Sequence, residues 1–176
     1  MIRTLLRRSL SVIILLTAMV GGAAQAQVTE ARVRVDGLSC PFCAYGLEKK
    51  MKGISGVGKV AINVKEGTAT LTAGSGASVD IEVIEEAVSK AGFTPREIRV
   101  TARGVVKTEG DTPVFAVAGT DILLIFESDE RFRELRRQAP GPATEVRVTG
   151  ALRKASSEEH AGHPYSIAIE KFEILQ

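Results

Sequence analysis

The sequence predicts an α+β fold in two unlike modules: a βαββαβ unit, then a small, mostly-β barrel. Three observations carry this. Apolar residues switch repeatedly between a period of two and a period of 3.6 up to about position 100. From there the alternation is mostly strand-like, with one short charged helix. Glycines also fall at the ends of most of the periodic segments, where strands and helices need to stop.

The elements follow in order. Residues 31–35 alternate, with Val33 and Val35 on one face and Arg32 and Arg34 on the other. Ala44, Leu47 and Met51 then recur at helical spacing with Lys49, Lys50 and Lys52 on the polar side, and Gly53 is placed to stop the helix. Val60, Ile62 and Val64 alternate into the tight turn Lys65-Glu66-Gly67, and Ala69 and Leu71 continue on the partner strand. A second helix carries Ile81, Ile84, Ala87, Val88 and Ala91 as its apolar stripe. It ends at Gly92, and Phe93 opens a last strand through Ile98 and Val100. The order is that of a ferredoxin-like split βαβ, with both helices on one face of an antiparallel sheet.

Beyond residue 100 the expected strands cover 101–106, 114–118 and 121–126, then 145–152 and a last one through Ile167, Ile169, Phe172 and Ile174. A charged helix over 129–138 shows Phe132 and Leu135 on its apolar side, and Pro140-Gly141-Pro142 breaks it. Five strands with a helix between the third and fourth resemble an OB-like barrel. The modules are expected at 27–99 and 100–176.

Residues 1–26 read as a secretory leader. Arg3, Arg7 and Arg8 supply its positive end, residues 10–20 its apolar run, and Ala24-Gln25-Ala26 its cleavage site, with cutting expected after Ala26. An uncleaved anchor is the plainer alternative, but the apolar run is short for a bilayer. The expected location is therefore periplasmic or secreted, with no membrane anchor after cleavage. Removing the leader's three arginines from 23 basic residues leaves 20 against 21 acidic, a net charge of −1. The arginines at 131, 133, 136 and 137 are balanced locally by Asp129, Glu130 and Glu134, and the chain has no Trp. A solvated helix face is the reading, and nucleic acid is not an expected partner.

The chain's only two cysteines stand together in Gly37-Leu38-Ser39-Cys40-Pro41-Phe42-Cys43, between the first strand and first helix. A helix N-terminus offers free N–H groups and partial positive charge, which favour thiolate. Two such thiolates suit a soft, low-coordinate ion such as copper(I). They equally suit dithiol–disulfide exchange. A structural disulfide is the plainer alternative, but it would close too short a loop to constrain much of the unfolded chain. Structural zinc is disfavoured for want of further cysteines.

Residues 35–93 resemble the heavy-metal-associated domain of copper chaperones, mercury-binding periplasmic proteins and metal-pumping ATPases. The motifs that carry the resemblance are Gly37-x-x-Cys40-x-x-Cys43, Gly56-Val57, Glu66-Gly67-Thr68-Ala69-Thr70, Glu86-Ala87-Val88 and Lys90-Ala91-Gly92-Phe93. The resemblance implies one soft ion, copper(I) or mercury(II), bound by Cys40 and Cys43. It also implies a metal-transporting membrane protein or a periplasmic acceptor as partner. Leu38 stands where the family usually has Met, a nearly volume-conserving exchange. Leu38 and Phe93 are expected to support the loop from beneath. Phe42, between the cysteines, is expected to make the site less hydrated.

The expected function is a non-enzymatic carrier or sequestering protein, the alternative a thiol–disulfide oxidoreductase using the same pair. Cys40-Pro41-Phe42-Cys43 is similar to glutaredoxin-like active sites, although the surrounding pattern is not a thioredoxin layout. The barrel is a candidate adaptor for a partner protein. His160 and His163, the only histidines, either form an auxiliary metal site with Glu158 or Glu159 or sit in a solvated loop, the preferred reading. Met51 reads as core rather than ligand.

Overall fold

The computed structural model describes residues 27–139, 141, 144–154 and 163–175. The leader (1–26), His160, Glu158, Glu159 and two of the three helix-breaking residues, Pro140 and Pro142, lie outside them. The described residues form eight strands and three helices: β1 (Gln27–Asp36), α1 (Pro41–Lys52), β2 (Val57–Asn63), β3 (Thr68–Ala73), α2 (Ile84–Lys90), β4 (Thr94–Glu109), β5 (Thr112–Val117), β6 (Leu123–Phe126), α3 (Glu130–Gln138), β7 (Glu145–Lys154) and β8 (Tyr165–Ile174).

The first six elements give the order β2-β3-β1-β4, antiparallel throughout. The alternation seen in β1 is realised: Ala31, Val33 and Val35 are buried while Arg32 and Arg34 face solvent. Leu47 and Met51 of α1 and Ile84 and Val88 of α2 bury the matching helical stripes. Gly53 does stop α1, but with an ordinary right-handed backbone (φ −82°), its N–H shared by the carbonyls of Lys50 and Met51. The glycine that this connection requires is Gly56. Its φ is +78°, and a Cβ there would lie 1.8 Å from the Ser78 carbonyl oxygen. The second helix starts three residues later than its apolar stripe does; Ile81 is buried in the turn before it.

The strands expected on either side of residue 100 are one strand. β4 runs 16 residues, about 50 Å at roughly 3.3 Å per residue. On one edge its first half pairs with β1, from Asp36↔Thr94 to Gln27↔Arg103, and β5 takes over that edge from Gly104↔Val117. On the other edge β7 pairs with Ile98 to Val105. The expected boundary at 99/100 thus lies inside continuous backbone.

From there the strands close on themselves in the order β4-β5-β6-β8-β7-β4, all antiparallel except the parallel pair β6–β8. α3 lies between β6 and β7, started by the Asp129 carboxylate, which accepts from the Phe132 N–H at 2.7 Å. Phe126 stacks on Phe132 at 4.8 Å between ring centroids and meets Phe115 at 5.7 Å. At Gly104 and Gly150 the neighbouring strand comes so close that a Cβ would stand 2.1 Å and 2.3 Å from the Ala116 and Ala168 carbonyl oxygens. The third strand begins at Leu123 rather than at 121, because the Thr120 hydroxyl holds a turn, donating to the Val117 carbonyl and accepting from the Ile122 N–H. One apolar core runs through both halves, from Val33 and Leu71 to Val148 and Ile167.

Candidate metal centre

Everything about the cysteine loop follows from where β1 ends. Val35 N–H donates to the Gly67 carbonyl at 2.7 Å, and Asp36 pairs with Arg96 of β4 at 2.7 Å. These contacts tie the loop's base to the β2–β3 turn and to the start of β4. Gly37 then turns with φ +87° over the half-buried Phe93 ring, and Leu38 plunges into the core at 5 % exposure. The expected support from beneath is therefore present in both side chains.

Cys40 is the N-cap of α1, and Pro41 takes the first helical position, where no N–H is needed. The Cys43 N–H donates to Cys40 Sγ at 3.3 Å, and the two sulfurs lie 3.0 Å apart. Cys43 is exposed and Cys40 half-buried. The Cys43 thiol, followed by its backbone N–H, holds the Cys40 thiol below its usual range. Cys43 is pushed up in turn, first because its proton is engaged by Cys40 and then by desolvation and the Cys40 charge. The pair thus shares one proton readily lost and one retained.

No group of three or more His, Cys, Asp or Glu side chains converges among the described residues. The donor set at the loop is two sulfurs, which fits a soft ion of low coordination number. A disulfide needs the same two sulfurs. His163 stands apart, with Nε2 3.2 Å from Glu109 Oε2, and its side chain is largely buried. Met51 is fully buried in the core.

Phe42 does not do what the sequence led us to expect. It is 90 % exposed, pointing away from the core on the opposite side of α1 from Leu47, and so does not enclose the sulfurs. Tyr45, at 72 %, stands beside it on the next turn. The helical spacing of Ala44, Leu47 and Met51 already contained this: it puts positions 42 and 45 on the outer face.

Residues 32–94 match the heavy-metal-associated domain family. That span is a heavy-metal-associated domain. The chain is 29 % identical over 73 residues to Copper-transporting ATPase 2 of Rhizobium meliloti (strain 1021), covering 42 % of this chain and 9 % of that protein. The chain thus spans less than a tenth of that relative's length. Among solved structures it is similar to a copper binding domain from HMA7, a P-type ATPase (25 % identity, 39 % of this chain, 90 % of that one, TM-score 0.35). It is also similar to the N-terminal domain of a potential copper-translocating P-type ATPase from Bacillus subtilis (28 %, 39 % and 84 %, TM-score 0.34). A third is oxidized MerP from Ralstonia metallidurans CH34 (21 %, 38 % and 94 %, TM-score 0.34). The match runs from within β1 to the first residue of β4, and the barrel lies beyond it.

Proposed function

We propose that the protein is an exported carrier of one soft metal ion, copper(I) first and mercury(II) second, held by Cys40 and Cys43. The observation that carries this is the pair of adjacent sulfurs on an exposed helix start, inside a heavy-metal-associated domain. Two thiolates on one ion stand on opposite sides of it, each about 2.3 Å away by analogy with zinc–thiolate bonds. Sulfurs at 3.0 Å must therefore swing apart on loading, which their open surroundings allow. Release runs by exchange: an incoming thiolate adds to the ion, giving three sulfur ligands, and one cysteine departs. No step needs a catalytic residue.

The leader pattern in residues 1–26 supports export, and the acceptor in this reading is a metal-transporting membrane protein or a soluble exported protein. The barrel is OB-like in this reading, which its strand order and the helix after the third strand support. It serves as an adaptor, gripping a partner at one end of β4 while the metal loop stays free at the other.

Titrating the reduced, processed chain with copper(I) against a competing chelator tests the reading. One ion per chain is expected, lost in Cys40→Ser/Cys43→Ser. Absence of stoichiometric binding, or binding unchanged in the double variant, would falsify it. The 3.0 Å approach of the sulfurs also keeps a second reading open, a thiol–disulfide exchanger. Reductase turnover by metal-free protein would favour it over the carrier.

A further inference from the structure

The outward face of α1 carries side chains that the fold does not require. Phe42 and Tyr45 are the two large apolar side chains standing exposed among the described residues, at 90 % and 72 %. They share a crest with Lys49 and Lys52, since positions 42, 45, 49 and 52 fall on one side of a helix, opposite Leu47 and Met51. Gly46 leaves a gap between the aromatics and the lysines, and a Cβ there would meet nothing within 4 Å. No other element of the described chain covers this face at that point.

Area and charge decide what fits the crest. At roughly 200 Å² per aromatic side chain, the two rings present about 300 Å² to water. A specific protein complex buries about 800 Å² on each partner, packed ring into pocket. A bilayer interface needs neither that area nor a matching hollow, because its headgroup region is fluid and aromatic rings favour that depth. The charge is basic: α1 carries Lys49, Lys50 and Lys52 against Glu48 alone. Glu48 is paired with Lys52 at 2.6 Å, while Lys49 and Lys50 have no carboxylate partner among the described residues. Lysines in a last turn complement the helix dipole, which accounts for their position but not for aromatics at the other end. The carboxylates of Asp80 and Glu86 border the groove between α1 and α2, on a different side of the helix from the crest. A surface touching the crest alone therefore meets an excess of lysine.

We propose that the crest of α1 docks the protein on an anionic lipid surface. Phe42 and Tyr45 enter the headgroup region, and the lysines reach lipid phosphates. Cys43 follows Phe42 by one position, about 100° round the helix, so its sulfur stays on the flank of the contact. Docking holds the metal loop at the bilayer surface with Cys43 still open. Two rings and three lysines make a weak, reversible contact that salt screens. It needs no metal, and so stands whether or not the carrier reading does.

Flotation of the processed chain, reduced and with chelator present, tests it on phosphatidylcholine vesicles with and without phosphatidylglycerol. Binding is expected at low salt to the anionic vesicles alone, falling as salt rises. Phe42→Ala/Tyr45→Ala should weaken it about tenfold or more, with circular dichroism unchanged because both side chains are exposed. Lys49→Gln/Lys50→Gln should weaken it about tenfold. Cys40→Ser/Cys43→Ser should bind as the unaltered chain does, which separates this contact from metal carriage. No binding to anionic vesicles, equal binding to both kinds, or binding indifferent to either pair overturns the proposal. So does capture by protein-bearing membranes alone, which would give the face to a protein partner.

Discussion

The two ends of β4 use the same strand for opposite purposes. At Thr94 it borders a loop where two sulfurs face each other on an open helix start, and where Phe42 and Tyr45 stand in solvent. At Gly104 it enters a closed barrel whose backbone edges are all taken, with phenylalanines stacked inside. Closure removes open strand edges, so the barrel end contributes rigidity. The loop end keeps its polar and nucleophilic groups available because short contacts at its base, Val35 to Gly67 and Asp36 to Arg96, hold it without covering it. Chemistry sits where the fold leaves valence open.

The comparison breaks most readily at the barrel. Gly104→Val should cost roughly 3 kcal/mol or more, because a side chain there meets backbone rather than a movable rotamer. Since the core is continuous, the urea midpoints read from amide protection in β1–β3 and in β5–β8 should shift together. Separate midpoints would show the two halves to be energetically independent despite the shared strand.

At the loop, Leu38→Ala should destabilise by about 2–3 kcal/mol and loosen metal binding, because it empties the core beneath the cysteines. Leu38→Met should cost less than about 1.5 kcal/mol. Thermal melts and copper(I) competition on both variants check this, and equal effects would mean the loop does not rest on that side chain.

The pH response should be smaller and one-directional. The Cys40 thiol is held low and Cys43 is raised, so on acidification Cys43 is the first to regain its proton and on alkalisation the last to lose it. A metal ion must displace that proton, so apparent copper(I) affinity should rise with pH. Below the point where Cys40 also protonates, the rise should approach two protons per ion. Affinity that is flat across neutral pH would contradict the shared-proton arrangement.

The smallest effect belongs to Phe42. Phe42→Ala should change stability by less than about 0.5 kcal/mol and leave the copper(I) dissociation constant within about twofold, because the ring encloses nothing. Faster metal loss to a small chelator in this variant would restore the shielding role that the sequence led us to expect.

Much of this was legible before any coordinates. The alternation of Val33 and Val35, the stripe of Leu47 and Met51, and the glycines at 37, 67 and 92 are local patterns, and local patterns specify the local elements. Cys40 and Cys43 were legible for the same reason: three residues apart at a strand–helix junction, they meet through one turn of backbone. The shared strand was not legible. Ile98 to Val106 has one unbroken alternation, and only the arrival of β5 and β7, the latter from as many as 54 residues away, decides which partner each half takes. The outward face of Phe42 lay between these cases, implied by periodicity but masked by its closeness to the cysteines in sequence.

By itself, then, the sequence determined the element types, their order through β4 and the identity of the two sulfurs, because each depends on neighbours within a few residues. Tertiary structure alone decided that the two modules share a strand and a core, and that the barrel closes at Gly104 and Gly150. It also decided that α1 and α2 leave a groove between the last turn of α1 and α2, and that Phe42 and Tyr45 stand exposed. Those features depend on which distant backbones come within contact distance, and periodicity along one chain carries no information about that.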